Sequence, residues 1–334
     1  VILVDAETGG KTVKQWSTKD LRVLRPATDA RTGDAVLTFT DRYSVFDHGV
    51  MPDLVPGKGR ASCAMAVHSF ALFERAGITT HFVEQVADDA IRIRLMNLDL
   101  AGPRRTGPAQ LIPLQVVYRR RLRPESSVHR RVAAGDLDSA SIPPLEPGTD
   151  RLETVMVEFT SKFEETDRFL DATDAARVGR VTPADLAGLT TQARLVCAAV
   201  DEHCARVGLT LVDGKAEYGF DEHGALMLVD HAGTPDENRF YLEDTPVCKE
   251  LLRALYPGLR ERVQGWVRDG LPRARWPRPE PLHPDLVAAV AEVYAALAHL
   301  WVSGTAAARD RLSAAVKTYR AGCADADPER GYRR

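Results

Sequence analysis

The stretch from Leu209 to Arg239 reads LTLVDGKAEYGFDEHGALMLVDHAGTPDENR, and it concentrates groups able to handle a metal ion and phosphate. Asp213, Lys215 and Glu217 stand two residues apart, so on a strand they share one face. The polar Asp221-Glu222-His223-Gly224 segment then reads as a turn, and the apolar run Ala225 to Val229 returns to deliver Asp230 ahead of a Thr234-Pro235-Asp236 turn. That is the pattern of a β-hairpin. With His223-Gly224 as a two-residue loop, which the glycine permits, Glu217 falls opposite Asp230, and a four-residue loop keeps the same parity. The two carboxylates then share a face with Cβ atoms roughly 5 to 8 Å apart. Like charges so placed repel unless something stands between them. A hard divalent cation such as Mg²⁺, held by one or two carboxylates together with substrate phosphates, fills that role. A solvated hairpin face neutralised by Lys215 is the alternative, and the hairpin alone does not separate the two.

Other segments carry groups suited to phosphate. Gly9-Gly10-Lys11, followed by Lys14, fits a glycine-rich turn that brings backbone N–H and ammonium groups to a nucleotide, although it lacks the spacing of a Walker A loop. An ordinary turn is the simpler reading of it taken alone. Asp41 to Asp47 leads into Pro56-Gly57-Lys58-Gly59-Arg60, which is either an anion cradle at a helix N-terminus or an ion-paired strand end with a helix cap. After the apolar strand ending at Tyr118 come Arg119-Arg120-Arg121, then Ser126-Ser127 and Arg130-Arg131. Guanidinium groups bind phosphate bidentately. Arg119, directly after the strand, is the better placed for a site, whereas Arg123 reads as part of a solvated loop. Glu158 to Glu164 alternates like a strand and carries charge suited to a cleft wall. No GxSxG elbow and no Cys–His pair occurs, so covalent catalysis has little support.

The elements that must position these groups read as mixed. Strand-like runs at Ala35–Thr40, Thr80–Val86 and Ala90–Leu95 surround a helical stretch from Ala61 to Ala76, and a further strand runs from Gln110 to Tyr118. The region from Arg123 to Asp150 reads as loop with room for one helical turn. Thr182-Pro183-Ala184-Asp185 opens a helix, with Thr182 as cap, Pro183 at the first position and Asp185 in the capping-box place. A proline-rich connector between Gly270 and Pro284 precedes two helices, Asp285–Trp301 and Ala306–Tyr319. The expectation is an α+β protein with a β-rich nucleotide-binding lobe (1–108), a central α+β lobe with the metal and substrate residues (109–270), and a connector with C-terminal helices (271–334).

With 334 residues, 44% of them hydrophobic, the chain can bury a sizeable core, and a formal net charge of −3 gives no global attraction to nucleic acid or anionic membrane. Five scattered cysteines without metal spacing point to reduced thiols and a cytoplasmic location. No apolar stretch is expected to reach the ~18 to 20 residues of a membrane span, and no signal pattern is visible.

Taken together, these segments resemble the SAICAR synthetase family, the phosphoribosylaminoimidazole-succinocarboxamide synthases of purine biosynthesis. Leu211 to Gly219, Asp230 and Thr234 to Arg239 look like the family's second signature and its continuation. Asp41–Asp47, Pro56–Gly59, Ile112–Arg119 and Ser126-Ser127 follow the order of its other motifs. The resemblance runs from about Gly9 to Tyr256. It implies a two-lobed fold related to ATP-grasp, with a helical C-terminal extension added. It also implies ATP and Mg²⁺ as cofactors and small-molecule partners: a ribonucleotide carboxylate that is phosphorylated by ATP, and an aspartate amine that displaces the phosphate. In that reading Glu217 and Asp230 hold Mg²⁺, with Glu217 also beside the nucleotide, and Lys11, with Lys14, contacts ATP phosphates. Arg119 and Ser127 grip the ribonucleotide phosphate, and Lys58 belongs to the substrate site. Asp213, Lys215, Asp236 and Arg239 line the substrate side, with Lys215, Asp213 and Arg239 closest to the chemistry. A homo-oligomer is left open.

The chain departs from the family at Val13, where Lys is expected, at Gln115 in place of Glu, in the Arg-Pro-Glu-Ser-Ser loop, which lacks the usual Gly, and at His231, where an acidic residue is frequent. Three alternatives stand beside ligation in purine synthesis, the first of them motivated by Gln115 and the altered loop. They are a relative in nucleoside-antibiotic metabolism joining an amine to another azole carboxylate, a nucleotide-binding protein without ligase activity, and a small-molecule kinase.

Overall fold

In the computed structural model, which describes residues 13–100, 106–164 and 167–325, the N-terminal part builds a five-stranded antiparallel sheet. Its strands are β1 (Val13–Gln15), β2 (Lys19–Arg25), β3 (Gly33–Phe39), β6 (Phe82–Ala87) and β7 (Ala90–Leu95), in the order β1-β2-β3-β7-β6. A small hairpin, β4 (Arg42–Ser44) with β5 (Val50–Leu54), leads into helix α1 (Lys58–Arg75). Central β3 is buried along most of its length because α1 covers it on one side.

The second sheet runs β10-β9-β8-β11-β13-β14, with β12 also on β11. It comprises β8 (Leu111–Arg121), β9 (Arg151–Ser161), β10 (Phe169–Leu170), β11 (Thr210–Phe220), β12 (Leu226–Val229), β13 (Asn238–Leu242) and β14 (Thr245–Pro246). Helices α2 (Ser127–Ala134), α3 (Ala172–Gly179) and α4 (Pro183–Val207) intervene, and α4 packs against β8 and β11. Its start is as the sequence suggests: Thr182 and Asp185 form a reciprocal capping box with Pro183 at the first turn, and Gly208 ends it in the left-handed region. The stretch from 123 to 150, read as loop with room for one helical turn, contains the eight-residue α2, capped by the Ser126 hydroxyl.

β11 is the organising strand. Along one edge it pairs with β8, from Asp213 to Gly219. Its other edge is shared: the first half pairs with β13 and the second half with β12. The chain linking those partners, residues 230–237, crosses the gap and is tied there by the Lys215 N–H donating to the Glu237 carbonyl at 3.0 Å.

The hairpin parity differs from expectation. Glu217 pairs with Val229, not Asp230. The cause is the loop: the Asp221 N–H donates to the Ala225 carbonyl at 2.8 Å and encloses three residues, the last of them Gly224 at φ 80°, so the loop is odd-numbered. Asp230 itself leaves strand geometry at φ 63°. It still enters the same cavity as Glu217.

Gly214, between Asp213 and Lys215, has a steric reason to be glycine. A Cβ there would lie 2.6 Å from the Tyr118 hydroxyl and closer still to Asn238 Nδ2. Those two groups are hydrogen-bonded at 2.6 Å in the core.

The chain closes with α5 (Glu250–Ala254), α6 (Leu259–Arg268) and the helical pair α7 (Pro284–Ser303) and α8 (Ala306–Asp325). By length and composition α7 is apolar enough to span a membrane, contrary to the expectation that no such stretch exists. Here it packs between α1 and α8. Trp301 Nε1 donates to Ser69 Oγ of α1 at 3.1 Å, and the Tyr319 hydroxyl donates to the Leu251 carbonyl of α5 at 2.8 Å.

Gly214→Ala is expected to cost about 1 to 3 kcal/mol through forced displacement of Tyr118 and Asn238. Urea unfolding measures this, and a loss below about 0.5 kcal/mol, the range of a surface substitution, would contradict the close approach.

Candidate active site

Two cavities meet beneath β11. The first, about 680 Å³, is lined by Arg119, Ser127, Arg130, Asp213, Arg239 and Arg253 among others. The second, about 500 Å³, lies between the two sheets, with walls from Leu21, Leu37, Ile93, Leu95, Leu111 and Val229. Lys215, Asp236, Glu237 and Lys249 line both. The shared face of β11 therefore works as the sequence suggests: Asp213 opens on the first cavity, Glu217 on the second, and Lys215 on the junction.

In the first cavity the charges are tightly paired. Arg119 is buried, donates to Glu158 at 2.9 Å and to Asp213 at 2.8 Å, and leaves Nη2 3.3 Å from the Ser127 hydroxyl at the start of α2. Arg239 Nε donates to Asp213 at 2.7 Å. Burial alone would raise the Asp213 carboxyl, but Arg239 and Arg119 outweigh it and hold it below the usual range. The neighbouring Arg120, Arg121 and Arg123 do not line either cavity and pair with Asp201, Asp150 and Asp244 instead.

In the second cavity each carboxylate faces an ammonium. Glu217 is ion-paired with Lys162, and Asp230 with Lys19. Burial lowers Lys162 to about 8. Asp230 is held low because His231, Lys19 and Lys162 outweigh the cost of burying it. Gln115 lies opposite Glu217 on β8 and also lines this cavity.

At the junction, Glu237 is 3.5 Å from Lys215 and raises its pKa, while burial brings Lys249 down to about 8. Lys58 does not line either cavity. It is 1% exposed and donates to Asp236 at 2.8 Å, with the Tyr294 ring of α7 5.8 Å from its ammonium. The second Asp236 oxygen is buried without a hydrogen-bond partner. The Gly57-Lys58-Gly59 cradle is likewise filled from within, by the Asp41 carboxylate accepting from the Gly57 and Gly59 N–H groups at 3.1 and 2.9 Å. The cap reading holds there, because a tethered carboxylate already satisfies the helix N-terminus. Lys14 lies on β1 opposite Leu21 and is not among the cavity-lining residues. Lys11 lies outside the described residues.

Sequence reasoning missed Lys19 and Lys249. A single lysine in a strand or at a turn carries no pattern, and only the folded register shows where it points. Lys162 lay within the charged 158–164 stretch already suspected of lining a cleft.

The sequence pattern of the SAICAR synthetase family matches residues 27–264. A relative from Archaeoglobus fulgidus is 33% identical over 261 residues, covering 72% of this chain and 78% of its own. The chain belongs to the SAICAR synthetase family. The phosphoribosylaminoimidazole-succinocarboxamide synthase of Thermoplasma volcanium is 28% identical over 276 residues, covering 78% of this chain and 90% of the relative. Among solved structures, a SAICAR synthetase in complex with ADP has a TM-score of 0.58 at 22% identity, covering 81% of this chain and all of that one. The Saccharomyces cerevisiae SAICAR synthase complexed with SAICAR has a TM-score of 0.62 at 16% identity, covering 88% and 95%. These likenesses establish the α+β SAICAR synthetase fold. The family match ends at residue 264, so α7 and α8 lie beyond it.

Lys58→Met would leave Asp236 buried without its cation, and a loss of about 3 to 5 kcal/mol at pH 7 is expected. In the wild type the Asp236 carboxyl is depressed by Lys58 and Lys249, so its contribution is present above the unfolded carboxyl pKa and is lost as pH falls through the folded one. The gap between wild type and variant should therefore narrow below about pH 4, where the unfolded carboxyl protonates. Denaturation curves from pH 3 to 7 check this, and a pH-independent gap would contradict it.

Proposed function

We propose that this chain is an ATP-dependent ligase that joins aspartate to carboxyaminoimidazole ribonucleotide through an acyl phosphate. The observation that carries the reading is the junction: Lys215, Asp236, Glu237 and Lys249 line both cavities. A phosphoryl group held from one side can there meet a carboxylate held from the other. Phosphoryl transfer needs little covalent help from the protein, only alignment and positive charge around the transferred group. That agrees with the absence of a GxSxG elbow and of a Cys–His pair from the sequence.

The slot between the sheets suits the nucleotide. Its aliphatic walls fit a flat purine ring, and Lys19 and Lys162 stand where phosphates would enter. Glu217 and Asp230 fit Mg²⁺: both are carboxylates in one cavity, and each is now balanced by an ammonium, so the site demands cationic charge. When bound, Mg²⁺ would neutralise phosphoryl oxygens. Lys19 and Lys162 are then free to pair with phosphate. On the other side Ser127, the first turn of α2 and the remaining Arg119 nitrogen offer donors for the ribonucleotide phosphate. Arg239 holds Asp213 in place, and Lys58 positions Asp236. The substrates are small molecules, and the free, mostly buried thiols suit a cytoplasmic location.

Gln115 bears on the choice between purine synthesis and an antibiotic-pathway relative. It lines the nucleotide cavity and not the arginine-rich one. That departure therefore concerns the grip on ATP, and it weakens the case for a different acceptor.

ADP formation with Mg²⁺·ATP, aspartate and carboxyaminoimidazole ribonucleotide, omitting each in turn, tests the reading. Turnover dependent on all three with the succinocarboxamide product is expected. ATP binding without turnover would favour a binding protein, and amine-independent phosphorylation a kinase. Ser127→Ala should raise KM for the ribonucleotide roughly tenfold, the size of one hydrogen bond of ~1.4 kcal/mol to a charged group, with kcat little changed. An unchanged KM would move the phosphate site elsewhere.

A further inference from the structure

His231 is an imidazole beside the cleft that the ligase reading does not use. It is 0% exposed, and neither ring nitrogen has a hydrogen-bond partner. Its Nδ1 lies 3.3 Å from Asp230 Oδ1 and 3.8 Å from Glu237 Oε1, and one donor atom from each of the three residues falls within 4.8 Å of the others. Buried polar nitrogens are ordinarily satisfied, whereas this one is aimed between two carboxylates with only charge contacts at 3.3 and 3.8 Å.

The spacing suits a metal ion. Donors set tetrahedrally about an ion at about 2.1 Å lie about 3.4 Å apart, close to the separations from His231. The other Glu237 oxygen faces Lys215, so this carboxylate can serve both. The position is also set by the fold. Asp230 turns out of β12 in the left-handed region, which brings the following imidazole inward against Phe39, with ring centroids 5.4 Å apart, and the 230–237 crossing returns Glu237 to the same point.

We propose that Asp230, His231 and Glu237 form a second cation site, sharing Asp230 with the Mg²⁺ pair, that takes a divalent first-row transition metal in preference to Mg²⁺. Mg²⁺ favours an all-oxygen octahedron and dehydrates reluctantly, whereas the first-row transition ions accept an imidazole nitrogen beside carboxylates, with Mn²⁺ the weakest-binding and so the most stringent probe. Lys19 occupies the same Asp230 oxygen, so an entering ion replaces an ammonium there. The three ligands stand in the protein without nucleotide, and only the sharing of Asp230 with a Mg²⁺ pair rests on the ligase reading.

The test is Mn²⁺ binding to the whole, nucleotide-free protein in excess Mg²⁺, followed by electron paramagnetic resonance. One tightly bound Mn²⁺ per chain, with ¹⁴N modulation in the pulsed spectrum, is expected. His231→Gln should weaken binding at least about tenfold and abolish the modulation. Glu237→Gln, which leaves the buried imidazole in place, should also weaken it and serves if the first variant fails to fold. Glu217→Gln should bind Mn²⁺ as the wild type does while losing turnover, which separates this site from the Mg²⁺ pair. No bound Mn²⁺, bound Mn²⁺ without a nitrogen signal, or equal displacement by Mg²⁺ would each overturn the proposal.

Discussion

The shared edge of β11 is the constraint on which the rest of the site depends. A strand that pairs with one neighbour along its first half and another along its second forces the connecting chain across its middle, and that crossing carries Asp230, His231, Asp236 and Glu237. Strand alternation then sends Asp213, Lys215 and Glu217 to the same side. Acidic and basic groups from segments about twenty residues apart thereby converge without any long loop having to be ordered for the purpose.

Convergence of so many charges in a buried place has an electrostatic cost, and the structure meets it by pairing. Asp213 lies between Arg119 and Arg239, Asp236 against Lys58, Glu217 against Lys162 and Asp230 against Lys19. These pairs are of two kinds. Those of Asp213 and Asp236 are the more buried and fix the cavity wall, since breaking one would leave a buried charge uncompensated. Those of Glu217 and Asp230 face the cavity, where under the proposed function a nucleotide with its metal would exchange partners with them. Helices α7 and α8 support the first kind: Tyr294 lies over the Lys58 ammonium, and Tyr319 is bonded to α5, the helix that brings Arg253 to the cavity.

Much of this was legible before folding. The DGKAE spacing fixes side-chain direction whatever the tertiary structure, and the Thr182–Asp185 box marks its helix by local chemistry alone. The hairpin parity was not legible, because a segment containing His223-Gly224 closes equally well as an even or an odd loop, and only the Asp221–Ala225 pairing in the fold decides. Lys58 shows a different limit. A glycine-flanked lysine at a helix start looks like an anion site until Asp41, which is distant by seventeen residues in the chain, is seen to occupy it. Lys19 had no signal at all, since its role comes from a pairing with Asp230 across the whole fold.

The central claim is that the two cavities form one site in which an acceptor carboxylate receives phosphate before it meets the amine. Isotope transfer tests this directly. With the ribonucleotide carboxylate labelled with ¹⁸O, an acyl phosphate requires that each phosphate released during amide formation carry one labelled oxygen from that carboxylate. Unlabelled phosphate accompanying amide product would contradict the account, because the junction around Lys215 and Asp236 would then not be where phosphoryl group and carboxylate meet.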